Sequence, residues 1–389
     1  MTHPTNRRQW LKTAGIVLAG APFLPSVLHA RPTMYQAEKA LRHWQEGNWQ
    51  LHSGPVKAKL NSNENPYGPS DATQKAFAEA AHRGNRYAFD TAAEFTAKLA
   101  AKEGVPQTYI LPGNGSTDLL EKIGVVKFHE GGNIVSASPG YMSLIQTSRG
   151  LGADWKAVPL TKDYAHDLKA MEAAIDNETR LVYICNPNNP TGSVTDGKEL
   201  EAFCKRVSSR VTVFVDEAYL EFLPENQQHS MAKLALTHDV IVARTFSKVY
   251  GMAGMRVGYL IAPPAYTDKI RSMFFTGIGL SHPALFAAMA ALDDTAFVSD
   301  VREHTRRARE FTASLLSGLG LRFIPSFTSF ILFEPPATLK KPIWDSLKEE
   351  GILVRSFKVG EADWCRVSMG TVQEMALFAE ALTRHVKAG

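Results

Sequence analysis

A single lysine, Lys248, stands between two apolar runs at 240–243 and 257–261, beside Ser247, Tyr250, Gly251 and Gly254 and ahead of Arg256. A lysine lodged between buried strands is costly unless it acts as a nucleophile or is paired. The glycines beside it allow the close backbone approach that a bulky ligand requires. Four other stretches carry residue types that could serve such an amine. Gly113-Asn114-Gly115-Ser116-Thr117 is a glycine turn opening a helix, offering free backbone N–H groups and a positive dipole end to an anion. Ser138-Pro139-Gly140-Tyr141 puts an aromatic ring at a strand end, and Asn189 lies between two proline steps in the stretch 186–192. Asp216 ends the strongly apolar Val213-Phe214-Val215, with Tyr219 three residues on and Thr245 shortly before the lysine. Each piece alone has an ordinary reading: a solvated lysine, a punctuating turn, an acid capping the next segment.

The elements that must position these residues are short apolar strands. They read at 134–138, 155–159, 181–185, 211–215, 240–243 and 257–261, with helices between most of them. Continuous apolar strands alternating with helices argue for an α/β fold with a mostly parallel central sheet covered on both faces. In such sheets, sites gather in loops at the carboxyl ends of the strands, where all five stretches fall. A helix at 71–82 and a short strand before the glycine turn precede this series. A long charged helix over 300–317, stopped by Gly318, leads into another pattern. Strands at 321–324, 330–333, 353–357 and 365–368, with helices at 343–350 and 372–387, suggest a small α+β C-terminal domain. The expected organisation is a leader at 1–30, an N-terminal helix (34–46) and arm over 31–59, a large domain at 60–298 and a small one at 299–389.

Composition is that of an ordinary globular chain: 389 residues, 44% hydrophobic and 21% charged. Its length exceeds what one core normally organises. Removing the three charges of Arg7, Arg8 and Lys12 from the formal +4 leaves +1, so nothing points to nucleic acid as a partner. Three scattered cysteines, Cys185, Cys204 and Cys365, match neither a disulfide framework nor a metal-ligand spacing, so no metal is expected. The first thirty residues run from a basic head through a modest apolar stretch to small residues near Ala30, the order of a secretory signal too short for a stable membrane span. Thr5-Asn6-Arg7-Arg8-Gln9-Trp10-Leu11-Lys12 resembles the twin-arginine (Tat) export signal. That resemblance implies export of the folded chain by the Tat machinery and a periplasmic address.

Taken together, the glycine turn, Tyr141, Asn189-Pro190-Thr191-Gly192, Asp216-Glu217-Ala218-Tyr219, Ser247-Lys248 and Arg256 resemble the fold type I pyridoxal-phosphate (PLP) aminotransferases. Leu60-Asn61-Ser62-Asn63-Glu64-Asn65-Pro66-Tyr67, Asn85-Arg86-Tyr87 and Arg244-Thr245-Phe246-Ser247-Lys248 carry the resemblance towards the histidinol-phosphate aminotransferase branch, and it runs from Leu60 to the C-terminus. It implies a cofactor held by Lys248 as a Schiff base, with Asp216 facing the ring nitrogen. Tyr219 and Asn189 would donate to the phenolic oxygen, and Tyr141 would stack on the ring. Ser116 and Thr117 backbone amides, Thr245, Ser247 and Arg256 would hold the phosphate. By resemblance alone, Tyr87 would reach the phosphate in a partner subunit, implying a homodimer with shared sites. Arg366, joined by Asn189, would clamp a substrate carboxylate. Two departures are Ser326-Phe327-Thr328-Ser329-Phe330, with serine where the family has asparagine, and Thr117-Asp118 where Asp-Glu is usual.

The expected activity is transfer of an amino group between an amino acid, or an amino-phosphate compound, and a 2-oxo acid. The same constellation would also serve a lyase, racemase or oxidase acting on an amino acid, since the protein environment decides which bond breaks. A non-catalytic PLP-binding protein predicts decay of the lysine or aspartate, and both are present.

Overall fold

The computed structural model describes residues 55–276 and 279–388. The leader at 1–30 and the helix at 34–46 lie outside the described residues. In chain order the elements are β1 (Ala58–Lys59), α1 (Asp71–Ala80), α2 (Phe89–Glu103), β2 (Ile110–Gly113), α3 (Ser116–Phe128), β3 (Asn133–Ser138), α4 (Ser143–Gly150), β4 (Asp154–Pro159), α5 (Leu168–Ala173) and β5 (Thr179–Cys185). They continue as α6 (Gly197–Val207), β6 (Thr212–Asp216), β7 (Val240–Thr245), β8 (Gly258–Ile261), α7 (Pro264–Met273), α8 (His282–Asp293), α9 (Thr295–Gly318), β9 (Phe323–Ile324), β10 (Phe330–Phe333), α10 (Ile343–Glu349), β11 (Ile352–Leu353), β12 (Arg355–Val359), β13 (Ala362–Ser368) and α11 (Val372–Ala388).

Seven strands form the main sheet in the order β2-β8-β7-β6-β5-β3-β4. All its neighbours pair in parallel except at β8, which runs antiparallel to both β2 and β7. Periodicity alone reads β8 as one more member of the series, because an apolar run carries no direction. Alternate residues of the central strands feed two different cores, as a period of two demands. Val213, Val215, Val240 and Val242 pack on one face with Phe95, Leu99 and Leu285. Phe214, Ile241 and Ala243 pack on the other with Leu119, Leu120 and Ile123 of α3. Helix starts follow local chemistry: Asp196 accepts from the Lys198 and Glu199 amides at α6, and Asp294 from the Phe297 amide at α9.

Four strands, β12-β13-β10-β9, form a second, antiparallel sheet. Its core joins Ile331, Phe333 and Val367 to Leu316, Leu347 and Phe378 from α9, α10 and α11. Ala58 and Leu60 enter the same core, and β1 pairs in parallel with β11. The strand read at 353–357 is thus two strands, with Val354 between them, because its first part pairs with β1 instead of with the sheet. Contacts gather the described residues into one compact unit within Gly54–Gly389. The boundary expected at 298/299 falls inside the first turn of α9, which starts after its Asp294 cap. Among the described residues, no helix is long and apolar enough to cross a membrane.

Candidate active site

Loops at the carboxyl ends of β5, β6 and β7 and the glycine turn after β2 converge on a cavity of about 390 Å³. Lys248, Asp216, Tyr219, Ser116, Thr117, Tyr141, Asn189, Thr245, Ser247, Arg256 and Arg366 all line it. Tyr87 does not: it is 67% exposed on the surface, its carbonyl accepting from His282 Nε2 at 3.1 Å.

The strand ends that carry this chemistry are tied together by charge. Arg244 of β7 is buried and sits between Glu217, at 2.8 Å, and Glu221, at 3.0 Å, which follow β6. Glu217 also accepts from Ser230 Oγ and from the Met231 amide, so its buried carboxylate is well satisfied. This clamp holds Asp216 and the Thr245–Lys248 turn in one frame.

Asp216 is 2% exposed, its oxygens accepting from the Ala218 amide at 3.1 Å and the Tyr183 hydroxyl at 3.2 Å. Among the described residues it makes no ion pair, and burial pushes its carboxyl up to about 6. A buried carboxylate that borders the cavity and makes no ion pair suits a ligand that brings a protonated nitrogen. Lys248 lies opposite in effect. Burial, with Arg366 nearby, lowers its ammonium to about 8, and its Nζ donates to the Asn63 carbonyl at 3.2 Å. A lysine whose ammonium gives up its proton this readily supplies an amine able to attack a carbonyl.

At one end of the cavity is an anion cradle. Gly115, at φ +81°, precedes α3 and leaves the Ser116 and Thr117 amides at the helix start. A Cβ on Gly115 would lie 2.3 Å from Arg256 Nη2, and one on Gly258 would lie 2.5 Å from the Ser116 nitrogen. Arg256 is itself left-handed, at φ +56°, with Nη1 donating to the Ala253 carbonyl at 2.8 Å and reaching Ser247 Oγ at 3.4 Å. Two glycines and a bent arginine therefore shape a cationic, donor-rich pocket of phosphate character. Tyr141 sits between, its hydroxyl 3.3 Å from Thr117 Oγ1.

At the other end Arg366 is 3% exposed and stacked between Phe330 and Phe357. It donates to Asn189 Oδ1 at 2.7 Å and to the Asn61 carbonyl at 3.0 Å, while its buried Nε has no partner. Burial lowers it to about 10, which leaves it charged at neutral pH. Arg355, its cross-strand neighbour on β12, lines the same cavity. Two arginines suit a substrate with more than one anionic group.

Arg355, Ser62, Asn63 and Glu64 line the cavity without having been singled out from the sequence for a role there. Arg355 had a detectable signal, since strands at 353–357 and 365–368 place two arginines near each other. Asn63 lay in a polar segment too specific for a linker, but its partners are far away in sequence.

Comparison with known proteins agrees with this geometry. The model of the family described as aminotransferase class I and II matches residues 55–382. Histidinol-phosphate aminotransferase 1 of Cupriavidus pinatubonensis is 38% identical over 338 residues, covering 85% of this chain and 88% of that protein. The histidinol-phosphate aminotransferase of Moorella thermoacetica is 36% identical over 330 residues, 83% of this chain and 84% of its own length. The crystal structure of histidinol-phosphate aminotransferase from Sinorhizobium meliloti in complex with pyridoxal-5'-phosphate superposes with a TM-score of 0.81 at 28% identity, over 96% of this chain and 99% of that one. A chain whose cavity holds a lysine of lowered proton affinity and a buried aspartate with no ion pair among the described residues, and whose relatives align along most of its length, belongs to the class I and II aminotransferases.

Proposed function

We propose that this chain is a PLP-dependent aminotransferase that moves an amino group between an amino acid, or an amino-phosphate compound, and a 2-oxo acid. One observation carries the reading: Lys248 and Asp216 line one cavity, the first held towards its neutral form and the second lacking a cation. The donor set fits the cofactor at three points. Asp216 would receive the protonated ring nitrogen, the Ser116–Thr117 turn with Ser247 and Arg256 would receive the phosphate, and Lys248 Nζ would hold the carbonyl carbon. When bound, PLP supplies an electron-poor ring that stabilises negative charge developing at the substrate α-carbon.

The residues divide the remaining work. Arg366 orients the substrate carboxylate, with Asn189 fixing the guanidinium through its 2.7 Å bond. Lys248 Nζ, which lines the cavity, would accept the substrate α-proton as a base and return it as an acid. Its depressed proton affinity puts that exchange near neutral pH.

Single-turnover assays test the reaction class. Protein loaded with PLP and given one amino acid alone is expected to release about one equivalent of 2-oxo acid per site and then stop until an acceptor is added. Continuous turnover on that single substrate would instead identify a lyase, racemase or oxidase.

Assembly and address are part of the proposal. Tyr87 and Phe89, 67% and 54% exposed with ring centroids 5.8 Å apart, form an exposed aromatic pair that suits contact with a second copy in a homodimer. Light scattering of the purified chain is expected to give twice the monomer mass. Export rests on Arg7 and Arg8, and replacing both with lysine is expected to keep the chain out of the periplasm.

A further inference from the structure

Asn63 is 2% exposed and left-handed, at φ +53°, in the strap that crosses the cavity after β1. Its side-chain Nδ2 lies 3.0 Å from the Tyr219 hydroxyl, and its Oδ1 lies 2.9 Å from Ser368 Oγ. The Ser368 hydroxyl also accepts from the Asn63 backbone amide at 2.9 Å. These bonds decide which way the amide faces. Were it turned over, Ser368 Oγ would receive two N–H donors and its own hydrogen, buried at 2% exposure, would lack an acceptor among the described residues. With Oδ1 towards Ser368, the Ser368 hydroxyl and the Asn63 amide are both satisfied, Nδ2 donates to Tyr219, and the one hydrogen left over is that of Tyr219, on the cavity wall.

Asn189 reaches the same hydroxyl. Its Oδ1 must accept from Arg366, which has only donors, so its Nδ2 faces Tyr219 at 3.5 Å. A tyrosine hydroxyl has two acceptor positions and one donor hydrogen. Both acceptor positions of Tyr219 are thus turned towards amide N–H groups, and no acceptor for its hydrogen occurs among the described residues.

We infer that Asn63, oriented by Ser368, is a positioning residue that makes Tyr219 an obligatory hydrogen-bond donor into the cavity. The inference rests on the preceding reading, in which the Tyr219 hydroxyl meets the phenolic oxygen of PLP. A tyrosine free to turn could either donate to that oxygen or accept from a proton near it. One whose lone pairs are occupied can only donate, which favours the ionised oxygen and lowers the proton affinity of the lysine-bound cofactor. Asn63 and Ser368 come from opposite ends of the chain, so this control couples the strap to β13 and to the site.

The test follows the visible band of the lysine-bound cofactor as a function of pH, a readout independent of turnover. Tyr219→Phe sets the scale, with the midpoint expected to rise by about one pH unit. Asn63→Gly keeps the left-handed backbone and removes the donor; it is expected to raise the midpoint by at least half as much. Asn63→Asp, which replaces the donor by an acceptor, is expected to raise it at least as far as Tyr219→Phe. In the Tyr219→Phe background Asn63→Gly is expected to add nothing, and Ser368→Ala alone is expected to shift in the same direction. Melting curves of each variant verify folding. A midpoint unchanged in Asn63→Gly while Tyr219→Phe shifts, or shifts that simply add in the double variant, would overturn the inference and leave the function standing. A wild-type protein without a titratable visible band would overturn both.

Discussion

Asp216 and Lys248 hold opposite and costly states for the sake of a ligand, and that cost can be measured without the ligand. Burial raises Asp216 from 3.8 to about 6, so the folded chain binds more protons than the unfolded one between those values. Stability is therefore lost as pH rises through about 4 to 6, and above pH 6 the cofactor-free protein carries a penalty of roughly 3 kcal/mol. Asp216→Asn removes the charge while the Tyr183 hydroxyl can still pair with the new amide. At pH 8, without cofactor, this variant is expected to melt a few degrees above wild type by differential scanning fluorimetry. The same variant is expected to lose on the order of 10³-fold in kcat, because the group that favours a protonated ring nitrogen is gone. A variant less stable than wild type at pH 8 would contradict this account of Asp216. Both residues were legible in the sequence because a charged side chain at the end of an apolar run is conspicuous. Asn63 and Ser368 were not, since polar residues on a strap or a strand become informative only beside their partners. Asn63 meets Tyr219 across 156 positions and Ser368 across 305.

The elements contribute geometry that side-chain chemistry alone would lack. The turn between β2 and α3 works as an anion cradle because Gly115 takes φ +81° and leaves room for Arg256. Gly115→Ala would bring a Cβ to 2.3 Å from the guanidinium in a backbone region that alanine rarely adopts. Its Kd for PLP, by fluorescence titration of the cofactor-free protein, is expected to rise at least about tenfold, or ~1.4 kcal/mol. Gly150→Ala, with no atom within 4 Å of the new carbon, serves as the control and is expected to bind like wild type. Equal affinity in the two variants would remove the turn from the cradle. Turn, strands and helices were readable because each has a local signature. The antiparallel direction of β8 and the pairing of β1 with β11 were not, because both are decided by which strand lies alongside.

At the scale of the whole molecule, a seven-stranded sheet brings together side chains from turns more than a hundred residues apart in sequence, and a second sheet supplies Arg366 and Arg355. The α/β class and the mostly parallel sheet followed from alternating apolar strands and helices, which must bury both faces. The expected boundary at 298/299 lies within α9, which takes its cap from Asp294 and absorbs the segment before the charged stretch. Tyr87 stands apart from the other expected site residues, and a second copy of the chain is what would give it a cofactor to touch. All of this converges on one amine. Borohydride reduction of the PLP-loaded protein, followed by peptide mapping, is expected to find a stable pyridoxyl group on Lys248 and none in Lys248→Ala. Labelling of a different lysine, or a chromophore that survives unchanged in Lys248→Ala, would contradict the account.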